Sequence, residues 1–176
     1  MNLYRMIQRA NSIDGDMAEV GVCRGGSAKL IAHAMNKQKT LYLFDSFAGM
    51  PEVTPHLDQV VVGDFPSSYD DVAALLKPYS QAKIIPGFFP ETTQLLPHDK
   101  LKFAFVHLDV DTYKSTLEGL RYFYPRLSPG AYLLSHDYHS ASCPGVRKAF
   151  DEFFVDKPEG LIDLWNTQVA FVKMPT

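Results

Sequence analysis

Met17-Ala-Glu-Val-Gly-Val-Cys-Arg-Gly-Gly-Ser27 is the stretch that decides how this chain is read. It starts as a short apolar strand carrying Glu19, runs into Gly21, turns through Gly25 and Gly26, and opens a helix at Ser27. A backbone that turns from a parallel strand into a helix beside a nucleotide-sized ligand needs positive φ angles and no Cβ atoms in the way. A dinucleotide fingerprint would place a further glycine at position 23 and set a pyrophosphate on the helix N-terminus, but that position holds Cys23. An acidic residue two positions before the first glycine suits a ligand with a cationic amino-acid end and no phosphate, such as S-adenosylmethionine. A plain strand-to-helix turn would use the same glycines, so the remaining chain has to discriminate.

With 176 residues and 46% hydrophobic content, the chain has room for one domain, 1–176, with a full core. A formal net charge of -3 and the lack of a long basic run argue against a nucleic-acid surface. No apolar run reaches the roughly 20 residues that cross a bilayer, and the opening Met-Asn-Leu-Tyr-Arg-Met-Ile-Gln-Arg is too mixed for a signal peptide. Two cysteines, Cys23 and Cys143, do not make a disulfide framework, so a reducing cytoplasm is the expected setting.

Helical spacing of Leu3, Met6, Ile7 and Ala10 predicts a short helix over 2–12. After the glycine turn, Ser27 is expected to cap a helix that buries Ala28, Leu30, Ile31, Ala34 and Met35. Thr40 to Phe44 reads as a second strand ending in Asp45 and Ser46, where a carboxylate either accepts two ribose hydroxyls or forms a turn. Residues 46–66 hold Gly49, Pro51, Pro55, Gly63 and Pro66 with little periodicity, and a connection this long predicts a lid. Ser67 or Ser68 then caps a helix through Val72, Leu75 and Leu76.

Lys83 to Pro86 predicts a third strand that ends at Gly87-Phe88, where Phe88 either covers an adenine or enters the core. Phe103 to Leu108 reads as a strand covered on both faces. A helix over Tyr113 to Tyr124, a turn at Ser128-Pro129-Gly130 and a strand over Ala131 to Leu134 follow. Pro144 sits near the start of another helix, Val146 to Phe154, and strands near Leu161 to Trp165 and Val169 to Val172 make a hairpin. The pattern is α/β: a doubly wound parallel sheet with a C-terminal antiparallel hairpin, binding its ligand beyond the carboxyl ends of the strands.

Asp109 and the pair His136-Asp137 end two consecutive strands, so a parallel sheet brings them to one rim. Two carboxylates and an imidazole there either hold a divalent cation or cap turns and helices. An oxygen-rich set suits magnesium, calcium or manganese, and the histidine softens it toward manganese, iron, cobalt or nickel. Such an ion would bind a hydroxyl and lower its pKa.

Six stretches carry a resemblance: Glu19-Val-Gly-Val-Cys-Arg-Gly-Gly-Ser27, Phe44-Asp-Ser-Phe-Ala-Gly-Met-Pro51, Gly87-Phe-Phe-Pro-Glu-Thr92, Leu108-Asp-Val-Asp-Thr-Tyr-Lys-Ser-Thr116, Tyr124-Pro-Arg-Leu-Ser-Pro-Gly130 and His136-Asp-Tyr138. Together they make the chain similar to the macrocin O-methyltransferase family, class I S-adenosylmethionine-dependent enzymes that methylate sugars of macrolide and aminocoumarin antibiotics. The resemblance implies a Rossmann-like fold. It implies a cofactor site at Glu19, Gly21, Gly25, Gly26, Ser27, Asp45, Ser46, Gly87, Phe88 and Asp109. It also implies a metal, normally magnesium with manganese or another ion as the alternative, on Asp109, His136 and Asp137, with Asp109 as general base. Family members read Asp-Asp-Tyr where this chain has His136-Asp137-Tyr138, and they carry a longer region before the first strand. That shorter region predicts a different or larger acceptor, or one held in part by a second copy of the chain in a homo-oligomer.

The expected activity is methyl transfer to a hydroxyl of a sugar, glycoside or related polyol, with phenol or catechol hydroxyls next. A cofactor-binding scaffold without turnover is the alternative outside catalysis. Phe47, Tyr138 and His139 are candidates for the acceptor pocket.

Overall fold

The computed structural model describes residues 2–51, 53–96 and 101–175. Seven strands lie in the order β3-β2-β1-β4-β5-β7-β6: β1 Asp16–Val20, β2 Leu41–Asp45, β3 Ala82–Pro86, β4 Phe103–Leu108, β5 Leu127–Ser135, β6 Ile162–Asp163 and β7 Val169–Val172. The first five are parallel; β7 runs antiparallel to β5, and β6 antiparallel to β7. Five helices complete the fold: α1 Asn2–Ala10, α2 Gly26–Ala34, α3 Tyr69–Leu76, α4 Tyr113–Phe123 and α5 Pro144–Phe153. The chain order reverses between β1 and β4, which opens the crevice where open α/β sheets bind ligands.

Helices cover both faces, and the central strands are correspondingly apolar on both sides. Every residue of β4 is buried. On one face Ile7, Ala28, Ile31, Val72 and Leu76 of α1, α2 and α3 pack with Met17, Leu41, Leu43 and Phe105. On the other, Leu120, Phe123, Val146 and Phe150 of α4 and α5 pack with Ala18, Phe44, Val106, Leu133 and Phe171. Phe123 is the hub of the second layer: its ring stacks on Phe89 at 5.7 Å and meets Phe103 edge-on at 5.0 Å. None of the helices among the described residues is long and apolar enough to cross a membrane.

Several expected boundaries move. Helix α1 stops at Ala10, and the Ser12 hydroxyl donates back to the Arg9 carbonyl. Ser27 does not cap α2. Gly25 holds the N-cap position at φ 79° without a side-chain bond, and Leu30 is exposed. Ser68 does cap α3, accepting from the Asp71 amide at 3.2 Å. Ser128-Pro129-Gly130 is not a turn but lies inside β5, because Leu127 already pairs with Phe103 before the register shifts and Tyr132 pairs with Phe105. Gly130, at φ 83°, takes the irregular position, and its amide donates to the Lys173 carbonyl of the segment after β7. The hairpin shrinks to Ile162–Asp163 and Val169–Val172, leaving Trp165 exposed in the connection.

The segment expected as a lid, of which Glu52 lies outside the described residues, has no helix or strand in its described part. It folds on itself: the Met50 amide donates to the Asp64 carbonyl and the Gly63 amide to the Met50 carbonyl. Asp58 then ties it to the body. Its Oδ2 accepts from the Thr54 amide at 2.6 Å, and its Oδ1 accepts from the Tyr113 amide at the start of α4 at 2.8 Å. The Gly145 amide of α5 donates to the Leu57 carbonyl at 2.8 Å.

Candidate active site

A cavity of about 670 Å³ opens over the carboxyl ends of the parallel strands. That volume is in the range of sites for small organic ligands. Each of the five parallel strands delivers residues to it: Gly21 and Cys23 after β1, Asp45 and Ser46 from β2, Gly87 and Phe88 after β3, Asp109 to Asp111 after β4, and His136 and Asp137 after β5. Met50, Gln59, Val60, Asp64 and Phe65 of the long segment form the outer wall, and Ser142 and Cys143 close the far end.

On the glycine side, the backbone approach is tight. A Cβ on Gly21, at φ 87°, would sit 1.9 Å from the Asp109 carbonyl oxygen, so only glycine lets β1 and the end of β4 meet. Asp45 organises the turn. Its Oδ2 accepts from the Val22 amide at 2.8 Å and the Cys23 amide at 2.7 Å, and its Oδ1 accepts from the Phe47 amide at 2.7 Å. A carboxylate offers about four lone-pair sites, so one acceptor position remains for a ligand hydroxyl. Phe88 projects beside the cavity while its neighbour Phe89 enters the core against Phe44 and Phe123. Phe88 is exposed and so does not enter the core, while Phe89 both lines the cavity and packs in the core. Gly25, Gly26 and Ser27, at the start of α2, do not line the cavity; Gly25 is buried and Gly26 exposed.

Glu19 is fully buried behind this wall and does not reach the cavity surface. Its Oε1 pairs with Nδ1 of His107, on the neighbouring strand, at 2.8 Å, and its Oε2 and the His107 Nε2 have no protein partner. Burial pushes the His107 pKa down, but the hydrogen bond and charge of Glu19, with Asp109 beyond, outweigh it and raise the value.

Asp109, His136 and Asp137 converge as their strand ends imply. Nδ1 of His136 lies 2.7 Å from Asp137 Oδ2 and 3.4 Å from Asp109 Oδ1, and one donor atom from each residue falls within 4.8 Å of the others. The Asp137 hydrogen bond, opposed by burial and reinforced by the Asp109 charge, pushes the His136 pKa up to about 9. For Asp137 burial raises the pKa, yet the bonds to His136 and Asp111 prevail and hold it below the usual carboxylate range. Asp109 goes the other way, its pKa raised by burial despite the two histidines.

Sequence reasoning missed Asp111 and Cys143. Asp111 is pushed up to about 7 by burial, by its hydrogen bond with Asp137 and by the Asp109 charge. The Cys143 thiol donates to its Oδ1 at 3.7 Å. Asp111 and Asp137 both adopt left-handed backbone, at φ 57° and 62°, which aspartate tolerates better than most residues. Asp111 stands two positions after Asp109, a signal that was available; Cys143 carries none.

Of the acceptor-pocket candidates, Tyr138 is buried against Phe150 with its hydroxyl donating to Asp151 at 2.7 Å, and Phe47 packs edge-on with Tyr69. His139 bonds Asp163 of β6 through Nε2 at 2.9 Å, fastening the hairpin to the rim. None of the three lines the cavity.

Residues 2–167 match the family model for macrocin O-methyltransferase. Mycinamicin III 3''-O-methyltransferase of Micromonospora griseorubida is 31% identical over 173 residues, 86% of this chain and 66% of that protein. Demethyldecarbamoylnovobiocin O-methyltransferase of Streptomyces niveus is 31% identical, covering 81% of this chain and 59% of that one. The chain therefore spans less than two thirds of the length of either relative. The solved O-methyltransferase NovP superposes with a TM-score of 0.81 at 27% identity, covering 99% of this chain and 78% of that one. The calicheamicin methyltransferase CalS11 shares the fold at the same TM-score and 20% identity.

Proposed function

Because this chain belongs to the macrocin O-methyltransferase family, we propose that it moves a methyl group from S-adenosylmethionine to a hydroxyl of a sugar or glycoside. The observation that carries the reading is the convergence, in one cavity, of the Gly21 and Asp45 turn with the Asp109, His136 and Asp137 cluster. The relatives support the acceptor class, since their names describe methyl transfer to decorated antibiotics. Two free cysteines suit a cytoplasmic enzyme.

The donor site fits its ligand. The one open acceptor position of Asp45 takes a ribose hydroxyl, Phe88 covers an adenine face, and the Gly21 turn, which lines the cavity, borders the methionine end. Glu19, sealed behind the turn, bonds His107 of the neighbouring strand and does not line the cavity.

In the reaction the acceptor oxygen attacks the methyl carbon, a C–O bond forms, the C–S bond breaks, and S-adenosylhomocysteine leaves. Asp109 takes the hydroxyl proton, as a carboxylate that lines the cavity beside His136 and Asp137. Two carboxylates and one imidazole converging on one point form a donor set that fits a divalent cation. Held by Asp109, His136 and Asp137, that cation would supply acidity to the hydroxyl and a fixed position for its oxygen.

Calorimetric titration of S-adenosylmethionine into the protein, followed by methyl transfer to a panel of glycosides and catechols, tests the proposal. Donor binding in the micromolar range with turnover of glycosides is expected. Asp109→Asn should keep the donor and lose about 10²-fold or more in rate. Absence of donor binding would overturn the reading of the glycine turn, and undiminished turnover by Asp109→Asn would remove Asp109 from the base role.

A further inference from the structure

Resting on the reading of the rim cluster as an ion site, we infer that this chain selects a first-row transition ion such as Mn²⁺ or Co²⁺ over Mg²⁺, and that His136 sets the preference. The donor atoms are one imidazole nitrogen and two carboxylate oxygens. Magnesium demands near-ideal octahedral geometry and dehydrates reluctantly, whereas first-row transition ions accept an imidazole beside carboxylates, with affinity rising from manganese through iron and cobalt to nickel.

The geometry agrees with shared coordination. Cis ligands on an ion held at about 2.1 Å stand roughly 3 Å apart. His136 Nδ1 is 2.7 Å from Asp137 Oδ2 and 3.4 Å from Asp109 Oδ1, on either side of that spacing. The other ring nitrogen is also accounted for. His136 Nε2 faces the Thr167 hydroxyl at 3.5 Å, on the turn between β6 and β7. Nδ1 now holds a proton toward Asp137; an incoming cation would displace that proton to solvent, and an Nε2–H directed at Thr167 would then keep the Nδ1 lone pair toward the ion, the arrangement in which an outer partner orients a ligating histidine. His139 holds the hairpin in place through Asp163, and the His139 amide donates to the Thr167 carbonyl. The hairpin therefore serves the site by presenting Thr167 to the imidazole.

The second trio, Asp111, Asp137 and Cys143, shares only Asp137 with the first. Its thiol is engaged with Asp111. Nitrogen ligation through His136 is what distinguishes the two, and it supplies the spectroscopic handle.

The test is ion binding to the full chain without acceptor, with S-adenosylmethionine binding measured in parallel. Mn²⁺ uptake is read from loss of the free-ion electron paramagnetic resonance signal, histidine ligation from nitrogen couplings in the pulsed spectrum, and Mg²⁺ by competition. We expect Mn²⁺ to bind about tenfold or more tightly than Mg²⁺, with a nitrogen coupling present. His136→Asp should abolish the coupling and bring the two affinities to within about threefold, and Thr167→Val should weaken Mn²⁺ by about tenfold without removing the coupling. A melting curve on each variant separates loss of the site from loss of the fold. Equal or tighter Mg²⁺ binding by the wild type, or Mn²⁺ binding without a nitrogen coupling, would overturn the inference. If no ion binds while S-adenosylmethionine does, the ion centre falls and the donor site stands. If neither binds, the methyltransferase reading itself has failed.

Discussion

Replacing Gly21 by alanine is the most demanding test of how the rim is built. The new Cβ would lie 1.9 Å from the Asp109 carbonyl oxygen and 2.8 Å from its carbon, both backbone atoms that no rotamer change can move. Alanine at φ 87° also takes a backbone conformation that costs an L residue about 1–2 kcal/mol. Relieving the overlap means spreading the ends of β1 and β4, a form of overpacking that typically adds about 1–3 kcal/mol. The sum, about 2–5 kcal/mol, corresponds to a fall in melting temperature of roughly 4–20 °C for a chain of this size. The same displacement moves Asp109, and a shift of about 1 Å at reacting groups is worth about 10² in rate. Gly26→Ala is the matched control: a Cβ there meets nothing within 4 Å, at the first residue of α2, so stability should hold or rise by up to about 1 kcal/mol. Thermal melts and donor titrations on both variants decide the matter. A Gly21→Ala protein that melts within about 2 °C of wild type and binds donor normally would refute the argument from close approach.

Asp45→Ala removes the acceptor of three backbone amides. Losing their charge-assisted bonds should weaken donor binding by about 3 kcal/mol, roughly 10²-fold, in calorimetry; an affinity within threefold of wild type would deny Asp45 its place in the turn. Ser68→Ala deletes the cap of α3 and should lower stability by about 1 kcal/mol in urea unfolding while leaving donor affinity unchanged. Glu159 is buried and accepts from Lys173 at 2.7 Å, Tyr124 at 2.8 Å and the Met174 amide at 3.1 Å. Burial raises its pKa, but these bonds prevail and lower it, while Lys173, pushed down by burial, is raised overall by Glu159. The unfolded chain then binds a proton at Glu159 more readily than the folded one. The stabilisation is complete above the ordinary glutamate value of 4.5 and disappears as pH falls through the lower folded value. On the alkaline side Lys173 holds its contribution below 10.5 and loses it above. Glu159→Gln should cost about 3 kcal/mol at neutral pH and flatten the acid limb of the urea midpoint against pH.

The sheet was legible because its strands announce themselves locally: mostly apolar runs such as Phe103 to Leu108, broken there only by His107, each followed by a polar or glycine end. Asp45, Asp109, His136 and Asp137 followed from that, since strand ends of a parallel sheet share a rim. What escaped depends on register and long-range contact. Pro129-Gly130 has turn composition, yet pairing of Leu127 with Phe103 holds it in β5. The His107 partner of Glu19 lies 88 residues away in sequence and is set by the pairing of β1 with β4. Asp58 sits in a stretch without periodicity, so nothing local marks it as the residue that accepts the first amide of α4, whose N-cap is Thr112. Tyr138 looked accessible beside two site residues, but its ring turns inward because Phe150 of α5 offers it apolar cover.

The long segment between β2 and α3 is fastened to the body at few points: its own short ladder from Met50 to Asp64, and Asp58 with Leu57 on the starts of α4 and α5. Between those fastenings Gln59 and Val60 face the cavity, while Val61 and Val62 are 60% and 63% exposed and belong to neither core layer. Mutations there carry almost no penalty in folding, so this wall is free to drift over evolutionary time while the glycine turn and the acidic rim stay fixed by their own geometry. A lineage that keeps Asp58 and the ladder can therefore reshape the mouth of the cavity one substitution at a time without passing through an unfolded intermediate.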